Sequence, residues 1–243
     1  VDHFVYRPDG YSPSLKTFWD MKYDLIIFDN HPVEENAKEW YSYIRIFAKK
    51  LMAHQTSLAF IVGADIHDSL LESYLSLMDV SVKDPMIELG AAYDWGLNSN
   101  WDTFFPYHRI NRLDVDRKTL PPLIAQMEVD SSTAIPLANF AISDVDLPLF
   151  LVGEKHPLRF MVWSSPELNT FYYKTRGSKL SGLTNEMFNT VFSWLMRTGN
   201  GQDFYFRSEK NSYQQGERVT IIGKPIKDSE TADDGFLHVS YQG

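Results

Sequence analysis

The stretch from Lys22 to Pro32, KYDLIIFDNHP, constrains the fold of this chain more than any other part of the sequence. Its apolar run, Leu25–Phe28, is too short for a helix and rich in isoleucine, which is typical of a strand buried on both faces of a parallel sheet. The run ends in the polar, turn-prone residues Asp29–Pro32, and an amphipathic pattern follows at once. We therefore predict a strand–loop–helix unit, in which a ligand would lie beyond the carboxyl end of the strand.

A second unit of the same kind follows the first. Residues 34–53 predict a long helix packed on one face of the sheet, because apolar side chains recur there at the spacing of one helix face. Ser57–Val62 is another buried apolar run, and Ile66–Met78 has a helical pattern. Two strand–helix units with short connections predict neighbouring parallel strands joined by right-handed crossovers.

The pattern changes after residue 133. Ala134–Ile142, Leu147–Glu154 and Leu158–Trp163 predict strands without helices between them, and such close spacing favours antiparallel pairing. Leu183–Arg197 then returns to a helical pattern. The fold class predicted from these elements is α/β, with a three-layer, flavodoxin- or Rossmann-like, mostly parallel sheet and an antiparallel hairpin at one side.

The composition shifts again near residue 199. We predict an α/β domain at 1–198 and a small β segment at 199–243, which would open a β-sandwich that the chain is too short to close. Because bare hairpins are marginal in water, this segment is expected to pack on the α/β domain or to pair with a second copy. Its predicted strands are Asp203–Arg207, Arg218–Ile222 and Phe236–Tyr241.

The charge and composition exclude several classes of function. A net charge of −9 and a pI of about 5.2 argue against nucleic acid or an anionic membrane as a partner. No apolar run approaches the roughly 18 residues of a membrane span, so no direct membrane insertion is expected. The chain has no cysteine, and its 7 histidines show no metal-binding spacing. We therefore predict neither a metal nor a cofactor.

The candidate site residues lie where the first two predicted strands end. Asn30 and His31 follow the first strand, and Gly63, Ala64 and Asp65 follow the second. Because parallel strands end at one edge of a sheet, these residues are expected to form a ligand-contacting loop pair. The alternative for Asn30 and His31 is ordinary turn chemistry, which we favour because aspartate and asparagine are common in loops before helices.

A second alternative concerns the acidic residues around the second strand end. Asp65 with His67 and Asp68 would suit an acid–base or metal cluster. Asp65 would equally serve as the cap of the following helix by accepting from its free N–H groups. We favour the cap, because aspartate is common at that position.

Two other features suggest chemistry. Ser164 and Ser165, followed by Glu167, suggest a hydrolase, although no G-x-S-x-G turn surrounds either serine. Residues 84–133 form a long irregular excursion with one predicted helical piece at Leu120–Met127. The aromatic residues between 93 and 107 would stack on a sugar, or would bury the excursion against the domain, which is the more common role.

Several of these stretches, taken together and in order, resemble the class I glutamine amidotransferase-like domain of large bacterial membrane proteins. The tail resembles an immunoglobulin-like strand pair that follows such domains. The stretches that carry the resemblance are YDLIIFDNHP at 23–32, SLAFIVGAD at 57–65, PLFLVGEKHPLRFMVWSS at 148–165, FYYKTRGSKL at 171–180, FSWLMR at 192–197 and NSYQQGERVTIIGKP at 211–225.

The resemblance also implies that catalysis has been lost. Active members of that superfamily carry a cysteine in a sharp turn after a strand, with a histidine and a glutamate completing a triad. The equivalent turn here is Val62–Asp65, where Ala64 or Asp65 stands in place of the nucleophile. Neither side chain attacks an amide as a thiolate does.

The resemblance therefore predicts a non-catalytic interaction or scaffold domain of a larger bacterial envelope protein. Its partner would be a protein or other domains of the same parent chain, and it would lie on the extracytoplasmic side, or alternatively in the cytoplasm. Val1 is not a natural start, which suggests a piece of a longer protein. The alternatives are a small-molecule or carbohydrate-binding sensor and a hydrolase of another class.

Overall fold

The computed structural model describes residues 1–104, 120–142, 145–176, 180, 182–196, 204–208, 214, 216 and 218–225. The chain divides into two compact units, Val1–Gly199 and Asn200–Gly243. Within the described ranges, no helix has both the length and the apolar character needed to span a bilayer.

The first unit is a mixed α/β structure built from short strands and helices. Its strands are β1 Val5–Arg7, β2 Gly10–Ser12, β3 Leu25–Asp29, β4 Ser57–Ile61, β5 Val80–Val82, β6 Ala92–Tyr93, β7 Trp95–Leu97, β8 Leu123–Ile124, β9 Val129–Ser131, β10 Ala134–Ile142, β11 Val145–Lys155 and β12 Leu158–Trp163. Its α-helices are α1 Leu15–Asp20, α2 Ala37–His54, α3 Asp68–Leu75, α4 Asn100–Phe104, α5 Leu168–Thr175 and α6 Leu183–Leu195. Single 3₁₀ turns at Glu34–Asn36 and Ser76–Met78 flank α2 and α3.

The central sheet has the strand order β3-β4-β12-β11-β10-β7. β3 runs parallel to β4, and β4 runs parallel to β12, while the other neighbours pair antiparallel. Four of these six strands therefore run in one direction, which confirms a mostly parallel sheet. The predicted pairing of the first two strands is also confirmed, with Ile26 opposite Leu58. The first unit also contains small two-stranded antiparallel sheets, such as β1–β2 and β5–β9.

The prediction that the first strand is buried on both faces is wrong. β3 is an edge strand of the central sheet. Ile26 and Phe28 are buried, but Ile27 is 45% exposed and Asp29 is also exposed. The alternation arises because only one face of β3 is fully covered by helices, whereas β4, one strand further in, is buried at every position.

Apolar layers lie on both faces of the sheet. Phe60 and Val162 belong to a cluster that includes the buried side chains of α2 and α3. Their sequence neighbours Ile61 and Trp163 point the other way, into a cluster with the buried side chains of α5 and α6. Successive residues of a strand face opposite sides, so each inner strand serves both layers.

The helix predicted at residues 34–53 is confirmed as a 3₁₀ turn followed by α2. Trp40, Phe47 and Leu51 form its buried stripe. The helix ends because Gln55 adopts a left-handed conformation, with φ of 54°, and its amide donates to the carbonyl of Leu51. A left-handed residue with this bond is a common helix stop.

The three-strand meander predicted after residue 133 is confirmed as β10, β11 and β12. β11 and β12 meet at the turn after Lys155, with Lys155 opposite Leu158. The helical piece predicted at Leu120–Met127 is wrong, since this segment is extended and contains β8. There Ala125 exchanges main-chain hydrogen bonds with the segment 90–91, so pairing between distant residues overrides the local pattern.

The described part of the second unit is one antiparallel strand pair. β13, Phe204–Ser208, pairs with β14, Ile221–Pro225. Two of the predicted strands therefore exist, and the second begins three residues later than expected. The third, Phe236–Tyr241, lies outside the described residues. Packing of the tail on the α/β domain or on a second copy stays a prediction.

Candidate functional site

The carboxyl ends of β3 and β4 lie side by side, as the sequence predicts. Asn30 leaves β3 with φ of 48°, a left-handed conformation that asparagine tolerates better than most residues. The main-chain N–H of Asn30 still donates to the carbonyl of Ile61, at 3.0 Å, so the strand pairing extends one residue into the loop. This geometry turns the Asn30 side chain toward the loop that follows β4.

The Asn30 side chain bonds to Asp65 in both directions. Its Nδ2 donates to Oδ2 of Asp65 at 3.3 Å, and the amide of Asp65 donates to Oδ1 of Asn30 at 3.2 Å. The two hydrogen bonds link the loops after β3 and β4. The prediction that these residues come together is therefore correct for this pair.

Gly63 is where the two loops make their closest approach. A β-carbon on Gly63 would lie 1.9 Å from Oδ1 of Asn30, far inside any permitted contact. Only glycine lets the Asn30 side chain lie over this part of the loop. Gly63 therefore serves the closure of the loop pair.

Ala64 and Asp65 are exposed at the tip of this turn. The methyl group of Ala64 offers no chemistry, and the Asp65 carboxylate offers only hydrogen-bond acceptors or a weak nucleophile. Asp29 brings a second carboxyl to the same edge. Desolvation raises the pKa of the Asp29 carboxyl above its usual value, and the charge of His3 partly opposes this.

His31 turns away from the other site residues. Its ring lies edge-on to Trp40, with centroids 4.6 Å apart, and also contacts Phe28 and Tyr11. Burial lowers the pKa of His31 to about 4, so the imidazole is neutral near pH 7. Its Nε2 is buried and has no hydrogen-bond partner among the described residues. His31 therefore belongs to an aromatic cluster behind the loop.

Most polar groups of this aromatic cluster bond to one another, the exception being Nε2 of His31. Asn36 Nδ2 donates to the Tyr11 hydroxyl at 2.8 Å and lies 3.5 Å from Nδ1 of His31. Trp40 Nε1 donates to the same hydroxyl. Desolvation raises the pKa of Tyr11, so the phenol stays protonated at physiological pH. The cluster joins the start of α2 to Tyr11 and to the loop after β3.

The predicted cap of α3 is wrong in its residue. His67, and not Asp65, precedes the helix, and its Nδ1 accepts from the amide of Leu70 at 3.3 Å. Its Nε2 lies 3.3 Å from the Glu34 carboxylate. Asp65 is engaged instead by Asn30, a pairing that no pattern in the sequence indicates.

The alternative of a metal cluster around Asp65, His67 and Asp68 finds no support. Within the described ranges, no group of three or more acidic or histidine side chains is placed to hold a metal ion. The reason is that His67 faces the helix start and Glu34, while Asp65 faces Asn30.

The serine pair is committed to main-chain bonds. The Ser164 hydroxyl is buried and donates to the carbonyl of Pro148 at 2.8 Å. Ser165 Oγ accepts from the amide of Glu167 at 3.2 Å. The Glu167 carboxylate in turn accepts from the amide of Ile124 at 2.8 Å. The Ser164 side chain therefore bonds to β11, whereas Ser165 and Glu167 hold the start of α5 and the segment around β8.

The aromatic residues of the excursion are mainly buried. Trp95 and Trp101 are almost fully enclosed, and the Trp95 Nε1 donates to the carbonyl of Pro121 at 2.9 Å. This matches the expectation that they bury the excursion. Phe105 and Tyr107 lie outside the described residues.

A groove between α1 and α2, which we call the α1–α2 groove, was not expected from the sequence. Its volume is about 460 Å³. From the sequence alone, Lys49, Lys50 and His54 are recognisable only as positive charge at the end of a helix. The signal that was available is the recurrence of ring, aliphatic and basic side chains along one outer stripe of α2. The groove is lined mainly by Trp19, Tyr43, Ile46, Lys49, Lys50 and His54.

Comparison with known proteins gives no family. No protein-family model matches the chain, and no curated protein matches it. Among solved structures, the chain is similar to the exo-β-1,4-mannosidase Op5Man5 from Opitutaceae bacterium strain TAV5, with 10% identity and a TM-score of 0.35. It is also similar to the carbohydrate deacetylase Agd3, with 11% identity and a TM-score of 0.34. The matches cover 73% and 72% of this chain, and they span 26% and 25% of those structures.

Proposed function

We propose that residues 1–198 form a non-catalytic, amidotransferase-like domain that serves as an interaction or scaffold module of a larger bacterial envelope protein. The observation that carries the proposal is the reciprocal bonding of Asn30 and Asp65 over Gly63. It closes the turn in which a nucleophile would otherwise stand. A catalytic nucleophile also needs a neighbouring base that activates it, and His31 and His67 are both held by other groups.

The two histidines of this region support the same proposal. His31 is held in an aromatic cluster, and His67 is engaged by the start of α3 and by Glu34. Among the described residues, the contacts of both imidazoles are with groups other than Ala64 and Asp65. With both imidazoles engaged in this way, we expect the domain to act through the shape and charge of its surface.

The finer description of the fold belongs to the same proposal. Apolar layers on both faces of the sheet support a three-layer, flavodoxin- or Rossmann-like arrangement. The strand pair β13–β14 supports an immunoglobulin-like segment at 199–243. We place the domain on the extracytoplasmic side, with a protein or another domain of the parent chain as its partner, because the resembling domains lie in such proteins.

The proposal is tested by comparing the function of the parent protein when its gene carries a deletion or single substitutions in this domain. Deletion of residues 1–198 is expected to abolish the function of the parent protein. Asp65→Ala and Ala64→Gly are expected to preserve it, because neither residue performs chemistry. A glutaminase assay on the purified protein is expected to show no ammonia release. If Asp65→Ala matches the deletion while its melting temperature is unchanged, or if ammonia release is lost in that variant, the proposal is wrong.

A sensor that binds a small molecule is the second candidate function. The observation that favours it is the α1–α2 groove, whose volume of about 460 Å³ falls in the range of small-molecule sites. The excursion does not supply this site, since Trp95 and Trp101 are buried. No observation favours a hydrolase among the described residues, because Ser164 and Ser165 are bonded to the main chain.

A further inference from the structure

The α1–α2 groove has an aromatic end. Trp19 and Tyr43 form its wall, with ring centroids 5.0 Å apart and ring planes at 64° to each other. Both residues are half-buried, so part of each ring remains accessible. Ile46, one turn along α2, continues the apolar lining and is 54% exposed. A ring that covered these three side chains would remove apolar surface from water on both partners.

The opposite end of the groove is basic. Lys49 and His54 line it, and neither makes a side-chain hydrogen bond or ion pair with any residue that the structure describes. Both can donate hydrogen bonds, Lys49 from its ammonium and His54 from a ring N–H. These two donors are therefore available to a ligand.

Lys50 lies beneath the groove and has a different role. It is buried, and its ammonium donates to the carbonyls of Trp19, at 3.2 Å, and Met21. These bonds hold the end of α1 against α2 and shape the groove. Burial lowers the pKa of Lys50, and the nearby charge of Asp20 partly opposes this.

The charge of the groove differs from that of the whole chain. The chain carries a net charge of −9, yet no acidic residue belongs to the lining among the residues that the structure describes. An acid near the aromatic end, Glu39, accepts a hydrogen bond from the Tyr43 hydroxyl at 2.9 Å. A second acid, Asp20 at the end of α1, lies close enough to act on the buried Lys50. We expect an anion to be attracted to the Lys49–His54 end and repelled from the Glu39 end.

We propose that the α1–α2 groove binds a small carboxylate that carries a ring. The ring lies against Trp19 and Tyr43, and the carboxylate accepts hydrogen bonds from Lys49 and His54. The helix dipole alone accounts for cations in the last turn of α2. It does not account for a groove of ligand size with exposed apolar walls beside them. The proposal is independent of the role of the strand ends.

Titration of the whole chain, followed by amide NMR, tests the proposal with two pairs of probes. Naphthoate is compared with the neutral naphthalene methanol, and glucuronate is compared with methyl glucoside. At millimolar concentration, at least one carboxylate is expected to shift the resonances of residues 43–54, and its neutral analogue is expected to bind several-fold more weakly. Added salt should weaken binding, because the charges are exposed.

The double variant Lys49→Gln/His54→Gln provides the decisive comparison. We expect it to bind the carboxylate up to about tenfold more weakly, since an exposed ion pair with Lys49 and a hydrogen bond from His54 each contribute a few-fold at most. Lys38→Gln is the matched control, because Lys38 is an exposed lysine of α2 outside the groove. Its affinity should be unchanged. Tyr43→Leu should weaken the carboxylate and its neutral analogue equally.

The outcomes separate the sources of the ligand. Binding of naphthoate alone assigns the groove to aromatic carboxylates, and binding of glucuronate alone assigns it to acidic sugars. Binding of both supports the shared chemistry. If neither carboxylate binds, or if Lys49→Gln/His54→Gln binds as tightly as the unchanged protein, the proposal is overturned.

Discussion

Protonation of His31 should destabilise the first unit in mildly acidic solution. Its pKa falls from 6.5 in the ordinary state to about 4 in the folded protein because the ring is buried. The groups that face it, Tyr11, Asn36, Trp40 and Phe28, carry no charge near neutral pH. The unfolded chain therefore binds a proton that the folded chain excludes.

The sign and size of the effect follow from the two pKa values. Above pH 6.5 the imidazole is neutral in both the folded and the unfolded chain, so the free energy of unfolding keeps its full value. As the pH falls from 6.5 toward 4, only the unfolded chain takes up the proton, and the free energy of unfolding decreases. The difference between the two values corresponds to about 3 kcal/mol in the free energy of unfolding. About 2 kcal/mol of it should be lost between about pH 7 and pH 5, before most carboxylates titrate.

Urea denaturation at these two pH values measures the effect. His31→Phe keeps an aromatic ring in the cluster and removes the titration, so its loss of stability between the two pH values should be smaller than that of the unchanged protein by about 2 kcal/mol. His156→Gln is the control, because His156 also precedes a proline but is exposed. It should keep the full pH dependence.

Two results would refute this reasoning. One is an equal pH dependence in His31→Phe and the unchanged protein. The other is an NMR titration that places the pKa of the His31 imidazole near 6.5 in the folded chain. The second measurement needs no substitution, so it holds even if His31→Phe folds poorly.

Three further outcomes are expected. Gly63→Ala should lower the free energy of unfolding by about 2 kcal/mol or more, because its methyl group would overlap the Asn30 side chain. Ala64→Gly is the control in the same loop. If Gly63→Ala melts at the same temperature as the unchanged protein, the close contact is contradicted. Ala64→Cys should remain without glutaminase activity in an ammonia assay, since no described histidine stands beside this position as a base; a measurable rate would show that a base had been missed. His67→Ala should cost about 1 kcal/mol in chemical denaturation through loss of the α3 cap, whereas an exposed Lys38→Ala should cost little.

The sequence predicted what depends on local pattern and neighbouring strands. β3, β4 and α2 were predictable because their periodicities are strong and their connections are short. The edge position of β3 was not predictable, because it depends on β12, about a hundred residues later, pairing with the other side of β4. The exposed Ile27 shows that an apolar residue in a strand does not report its own burial.

The sequence was enough to predict where Asn30 and Asp65 lie, but not which hydrogen bonds they make. Parallel strands put Asn30 and Asp65 at one edge, as expected. Whether Asp65 would cap α3 or bond to Asn30 depends on the left-handed turn at Asn30, which a sequence does not display. The α1–α2 groove was missed for a related reason: it exists only because α1 lies across the last turns of α2, and Lys50 is buried by carbonyl groups from another element.

A contrast in hydrogen bonding separates the strand ends from the α1–α2 groove. At the strand ends, the polar side chains of Asn30 and Asp65 bond to each other, so part of their hydrogen-bonding capacity is already used. Buried or linked polar groups of this kind rigidify a structure, and breaking one of them costs free energy. On α2, Lys49 and His54 have no such bonds to give up within the described part of the chain. The groove therefore offers a ligand donors that are not already bonded to another described residue, whereas the polar side chains at the edge of the sheet are linked to each other.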